Sequence, residues 1–186
     1  MPPPAARPSP SLVLVCGEDE FAVKQRAKQL YQQWCDELGG LDHEIIDAAV
    51  TNSGEALRSL ARLRESLQTL PFFGSAKAIW LRDCNFLGDE RAATAQAVTD
   101  ALARLAQELK DFSWQNVRLL ISAGKVDKRK TFYKAIDKTA ADGISEIVQV
   151  SWSRAAMRLR VSRLPRSLTR MEVSVTSRIS PKKSPL

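Results

Sequence analysis

Residues Leu12-Val13-Leu14-Val15-Cys16 are apolar without a break. A strand wetted on one face alternates apolar and polar residues. A short run with no polar member suits a strand covered on both faces, as in a parallel sheet between helix layers. Further short runs follow: His43 to Asp47 around Ile45 and Ile46, Lys77 to Arg82, Val117 to Ser122, and a weaker alternation from Ile144 to Val150.

Helical stripes separate these runs. Val23, Ala27, Leu30, Tyr31, Trp34 and Leu38 share one face, as do Ala56, Leu60, Leu63 and Leu67. A third helix is expected from Asp89, with Val98, Leu102, Leu105 and Leu109 inward, and a basic fourth from Lys128 to Ala140, with Phe132, Ala135 and Ile136 inward. Asp19 can cap the first helix, and Asn52 with Glu55 has the spacing of a capping box for the second. Strand and helix alternate with short connections, so an α/β domain is expected: a mostly parallel five-stranded sheet with helices on both faces. Ligands of such sheets gather beyond the carboxyl ends of the strands. The loops there are Gly17–Asp19, Ala48–Asn52, Asp83–Gly88 and Ala123–Asp127.

Charge divides the chain. Residues 1–150 hold 19 Lys/Arg against 20 Asp/Glu, whereas residues 151–186 hold 9 against one. The net charge of +7 therefore belongs to the tail, and an argument for nucleic-acid binding from charge is an argument about the tail. Residues 1–10, with their prolines, read as a disordered leader, residues 11–150 as the domain, and residues 151–186 as a basic tail that is either disordered or frame-shifted. No run approaches the ~18 apolar residues of a membrane span, so no membrane partner is expected. Cys16, Cys35 and Cys84 are far apart and His43 is the one histidine, which argues against a disulfide framework and a zinc site and for thiols in a reducing cytoplasm.

In a sheet of this kind catalytic residues would stand at a few known places. A phosphate loop after the first strand would read Gly-x-x-x-x-Gly-Lys-Ser/Thr. Here Gly17-Glu18-Asp19-Glu20-Phe21 lacks the second glycine and the lysine, and its carboxylates would repel a triphosphate. Asp83 ends a strand where such enzymes hold magnesium, but without the loop it has nothing to serve. No Gly-x-Ser-x-Gly accompanies His43. No catalytic residue, metal ligand or cofactor is expected. Lys125, Lys128, Arg129 and Lys130 crowd the fourth strand's exit and can contact phosphates or an acidic partner.

One loop is apolar where loops are usually polar. Gln68-Thr69-Leu70-Pro71-Phe72-Phe73-Gly74 joins the second helix to the third strand, and Pro71 excludes further helix. Exposed apolar clusters mark interaction sites, and aromatic anchors on a stiff loop make a small hot spot. Gln68, Leu70, Pro71, Phe72 and Phe73 are therefore the expected docking residues for another protein; the alternative is that Phe72 and Phe73 fold back as a plug over the domain's own core.

Three segments together resemble the delta subunit of bacterial DNA polymerase III: Gly17-Glu18-Asp19-Glu20-Phe21, Leu70-Pro71-Phe72-Phe73-Gly74-Ser75, and Val126-Asp127-Lys128-Arg129-Lys130-Thr131-Phe132-Tyr133-Lys134-Ala135. The resemblance covers roughly Leu12 to Val150. It implies an AAA+-like domain with a degenerate phosphate loop, without ATP hydrolysis, in a subunit of the DNA-directed DNA polymerase. It implies that the chain works in DNA replication, binding the sliding clamp and opening it for loading on primed DNA. Gln68-Thr69-Leu70-Pro71-Phe72-Phe73 is similar to clamp-binding peptides of the form Gln-x-Leu-x-Leu-Phe, with Phe72 in place of Leu. The resemblance also implies a helical second domain and a collar that joins the other clamp-loader subunits, and the basic residues after Val150 are not expected to form them. Two other readings stay open on the residues alone: a degenerate nucleotide-binding phosphotransferase, and a protein that binds DNA through its basic tail.

Overall fold

Leu12, Leu14 and Cys16 lie on one side of the first strand and Val13 and Val15 on the other, and all five are buried. That double burial is why the run has no polar member. The structure, a computed structural model, describes residues 10–39, 42–69 and 76–151. In chain order it comprises β1 (Leu12–Gly17), α1 (Glu20–Leu38), β2 (Glu44–Asp47), α2 (Ser53–Gln68) and β3 (Lys77–Arg82). A 3-10 turn (Asn85–Leu87) then leads to α3 (Arg91–Thr94), α4 (Gln96–Lys110), β4 (Val117–Ala123), α5 (Thr131–Ala141) and β5 (Ser145–Val150).

The strands form one five-stranded sheet in the order β2-β3-β4-β1-β5, and every pairing is parallel. The expected α/β class holds, with a sheet parallel throughout. Parallel neighbours need a crossover between them, and the helices provide it. The α1 helix covers one face, where Val23, Ala27 and Trp34 pack on Val13, Val15, Ala78, Trp80 and Leu120. On the other face α2, α4 and α5 pack Leu60, Leu63, Leu102, Leu105, Phe132 and Ile136 over Leu12, Leu14, Ile79, Leu81, Leu119 and Ile121. Each fully buried aliphatic or aromatic side chain contributes about 1.5–3 kcal/mol.

The α1-side core is tied by one polar pair. Trp80 Nε1 donates to Ser122 Oγ at 3.0 Å, and the Tyr31 ring stands against Trp80 with centroids 5.3 Å apart. Helix starts follow the expected chemistry. Asp19 Oδ1 accepts from the Ala22 N–H at 3.0 Å, and Asn52 Oδ1 from the Glu55 N–H at 2.9 Å. The reciprocal bond of the capping box goes one residue further out, from the Thr51 N–H to Glu55 Oε2 at 2.8 Å.

Two boundaries differ from expectation. The helix expected from Asp89 is two helices, because Ala95 is extended (ψ 128°) between α3 and α4. The inward stripe of Val98, Leu102, Leu105 and Leu109 belongs to α4. The basic helix starts at Thr131, not Lys128. Asp127 Oδ1 accepts from the Arg129 N–H at 2.9 Å, and the turn this makes holds Lys128 and Arg129 outside the helix. Among the described residues no helix is long and apolar enough to cross a membrane.

Candidate functional site

Three places in the fold are candidates for a functional role: the cleft beyond the carboxyl ends of the strands, the basic turn beside it, and the base of the apolar loop at the opposite end of the sheet.

The cleft has a volume of about 600 Å³ and is lined by the start of α1 and by residues at or beyond the ends of β2, β3 and β4. Its charged lining is Glu20, Asp83, Asp89 and Glu90 against Lys24 and Lys125. Lys24 Nζ lies 3.4 Å from Asp83 Oδ2. Asp83 sits in the left-handed region (φ 56°), and its N–H donates to Ser122 Oγ at 3.1 Å. Carboxylates outnumber cations here, so the cleft repels a polyphosphate instead of cradling one. Gly17, the glycine retained in the first loop, serves the sheet. Its N–H donates to the Gly124 carbonyl at 3.1 Å, and a Cβ there would meet the Val150 carbonyl oxygen at 1.9 Å. Among the described residues no group of three or more His, Cys, Asp or Glu side chains could hold a metal ion.

In the basic turn, Lys125 and Lys128 are exposed and make no ion pair among the described residues. Arg129 pairs with Asp127, Nε to Oδ1 at 3.0 Å. That guanidinium and the Arg129 N–H hold the Asp127 carboxyl down at about 2. Lys130 is used inside the fold: its Nζ donates to the carbonyls of Gly88 at 2.6 Å and Ala93 at 2.9 Å. Burial lowers its ammonium below the usual lysine range. Lys130 thus staples the segment between β3 and α4 to the turn before α5, and Asp127 N–H to the Leu87 carbonyl, at 3.1 Å, is a second staple.

The apolar loop runs from α2 to β3. Leu70, Pro71, Phe72 and Phe73 lie outside the described residues; Gln68 and Thr69 lie within them. Gln68 is exposed at the last position of α2. The helix end is closed by Thr69, whose N–H and hydroxyl both donate to the Glu65 carbonyl, at 3.0 and 2.8 Å. The strand end is closed by Lys77, only 6% exposed, whose Nζ donates to the Ser66 carbonyl at 3.0 Å. Glu44 completes the group: its Oε2 accepts from Ser66 Oγ at 2.7 Å and its Oε1 from Arg62 Nε at 3.1 Å. Burial raises the Glu44 carboxyl, but the Ser66 hydroxyl, Arg62 and Lys77 outweigh it and leave a net lowering. His43 joins the same region, its Nδ1 accepting from the Ala78 N–H at 3.2 Å. That bond makes His43 a strut against β3, and no serine hydroxyl among the described residues bonds its ring. Sequence reasoning missed Lys77 and Glu44. The available signal was a lysine opening an otherwise apolar strand directly after the loop.

The thiols carry no reactive character. Cys16 and Cys84 are buried and Cys35 partly so, and burial pushes all three up.

A search among curated proteins found no match. A family profile described as "DNA polymerase III, delta subunit" matches residues 14–142, from the first strand to the end of the last helix. That match spans more than half of the chain, and the chain belongs to the family of DNA polymerase III delta subunits.

Proposed function

We propose that this clamp-loader subunit of DNA polymerase III binds the sliding clamp through the loop after α2 and opens one interface of the ring for loading on primed DNA. Leu70, Phe72 and Phe73 are the anchors, Pro71 stiffens the loop, and Gln68 makes the polar contact at the pocket's edge. The observation that carries this reading is the exposed Gln68 at a helix end closed by Thr69 and Lys77. A short apolar segment leaving so fixed a base loses less freedom on docking. Burying the three anchors supplies about 1.5–3 kcal/mol each.

Residues 11–150 then act as an AAA+-like clamp-binding domain without ATP hydrolysis of its own, and the acid-lined cleft supports that reading. Lys125 and Lys128 are proposed contacts to an acidic partner or to phosphates, with Arg129 and Lys130 holding the turn behind them. A cytoplasmic, replisome-associated place follows from this role. The tail's 9 Lys/Arg against one acid favour a DNA contact there.

The test is capture on immobilised sliding clamp. The chain is expected to be retained, and a synthetic peptide of residues 68–74 to release it. Failure of the clamp to retain the chain would overturn the proposal. A shift of the unfolding midpoint by MgATP would overturn the reading of the cleft.

A further inference from the structure

Resting on the reading of Leu70, Phe72 and Phe73 as clamp anchors, we propose that Lys77 is the positioning residue of the docking loop, with Glu44 as its counter-charge. A lysine is almost never fully buried unless paired. The Lys77 side chain is 7% exposed, its Nζ 3.8 Å from Glu44 Oε2 and 3.0 Å from the Ser66 carbonyl oxygen. Ser66 precedes the loop in sequence and Lys77 follows it. The bond therefore joins the two stems directly.

The helix explains why a cation is used. A cation at a helix C-terminus complements the helix dipole and satisfies a carbonyl that has no intrahelical donor. The last turn of α2 has no basic residue of its own. Lys77 supplies that charge from across the loop. Glu44, on β2, accepts from the hydroxyl of the same Ser66 at 2.7 Å, so β2, α2 and β3 meet at one point. Stability alone would not select this arrangement, since a buried ion pair replaced whole by apolar residues of similar volume is often as stable or more so. What the ammonium adds is a directed bond that sets where the loop leaves α2 and enters β3. Holding both stems lowers the ordering cost that the loop's side chains meet on docking.

The experiment is calorimetric titration of the whole chain into purified sliding clamp, for wild type, Lys77→Met, Phe73→Ala and the double variant, each with a urea midpoint. Methionine keeps the length and apolarity of the lysine stem, and Glu44 keeps Arg62 and Ser66. The Lys77→Met midpoint should fall somewhat, because the Ser66 carbonyl loses its donor, with the chain still folded at the titration temperature. Its clamp affinity should fall about fivefold, through loss of preorganisation. Phe73→Ala should weaken binding about thirtyfold, as hot-spot truncations do. In the Phe73→Ala background Lys77→Met should cost less than about twofold, since both act through one loop. Wild-type affinity in Lys77→Met, or an equal loss in both backgrounds, would overturn the positioning role and leave the docking reading intact. Wild-type affinity in Phe73→Ala would overturn the docking reading itself. Should Lys77→Met unfold early, Glu44→Gln, which keeps the volume of the group, carries the same prediction with a smaller loss.

Discussion

Gly17 and Val150 are register partners in β1 and β5, and they approach so closely that a Cβ on residue 17 would stand 1.9 Å from the Val150 carbonyl oxygen. The obstacle is backbone on a neighbouring strand, so no side-chain rotation relieves it. Gly17→Ala must push β5 away from β1. Overpacking of this kind costs about 1–3 kcal/mol, more where backbone must move. A drop in urea midpoint of that size is expected. A neutral Gly17→Ala would show that the two strands are not in this contact.

Ser122 is fully buried, and its hydroxyl accepts from both Trp80 Nε1, at 3.0 Å, and the Asp83 N–H, at 3.1 Å. Ser122→Ala removes one oxygen and strands two donors. A buried donor left without a partner costs about 1–3 kcal/mol. Ser122→Ala should therefore destabilise by roughly 2 kcal/mol or more by chemical denaturation, with the slope unchanged. The loss should be smaller in Trp80→Phe, where one of the two donors is already gone.

Acid should weaken the fold through its paired carboxylates. Arg118 and Gln33 lower Glu37, Arg82 and the Ala49 N–H lower Asp47, and Arg129 holds Asp127 at about 2. Folded values below the unfolded ones mean that the unfolded chain binds protons more readily. The stability these groups add is complete above the unfolded carboxylate range, about pH 4–4.5, and is lost as pH falls through the folded values. Exposed pairs are screened, so each share is small. Urea midpoints at descending pH should hold until about pH 5 and then fall toward pH 2. The Arg82→Met midpoint should fall less steeply.

The fold was legible in the sequence where both faces of a strand are buried. Leu12–Cys16 carries no polar gap because both helix layers cover it. The break at Ala95 was not legible, since alanine is the best helix former and gives no stop signal. The role of Lys130 was hidden because its acceptors are the carbonyls of Gly88 and Ala93, 42 and 37 residues away in sequence. As a sequence feature it belonged to a basic cluster and looked like surface. In sequence Lys77 marks the start of a strand, and its place at the head of an apolar run is a weak local sign of a buried ammonium. The apolar loop stood out at once by composition, while the base that holds it required the meeting of β2, α2 and β3.

The most direct test of the central claim is the affinity of the whole chain for its sliding clamp, wild type against Phe72→Ala/Phe73→Ala. Two aromatic anchors removed from one hot spot should weaken binding by more than about a hundredfold, with the unfolding midpoint unchanged. Equal affinity of the two proteins would contradict the assignment of this loop as the clamp-docking element.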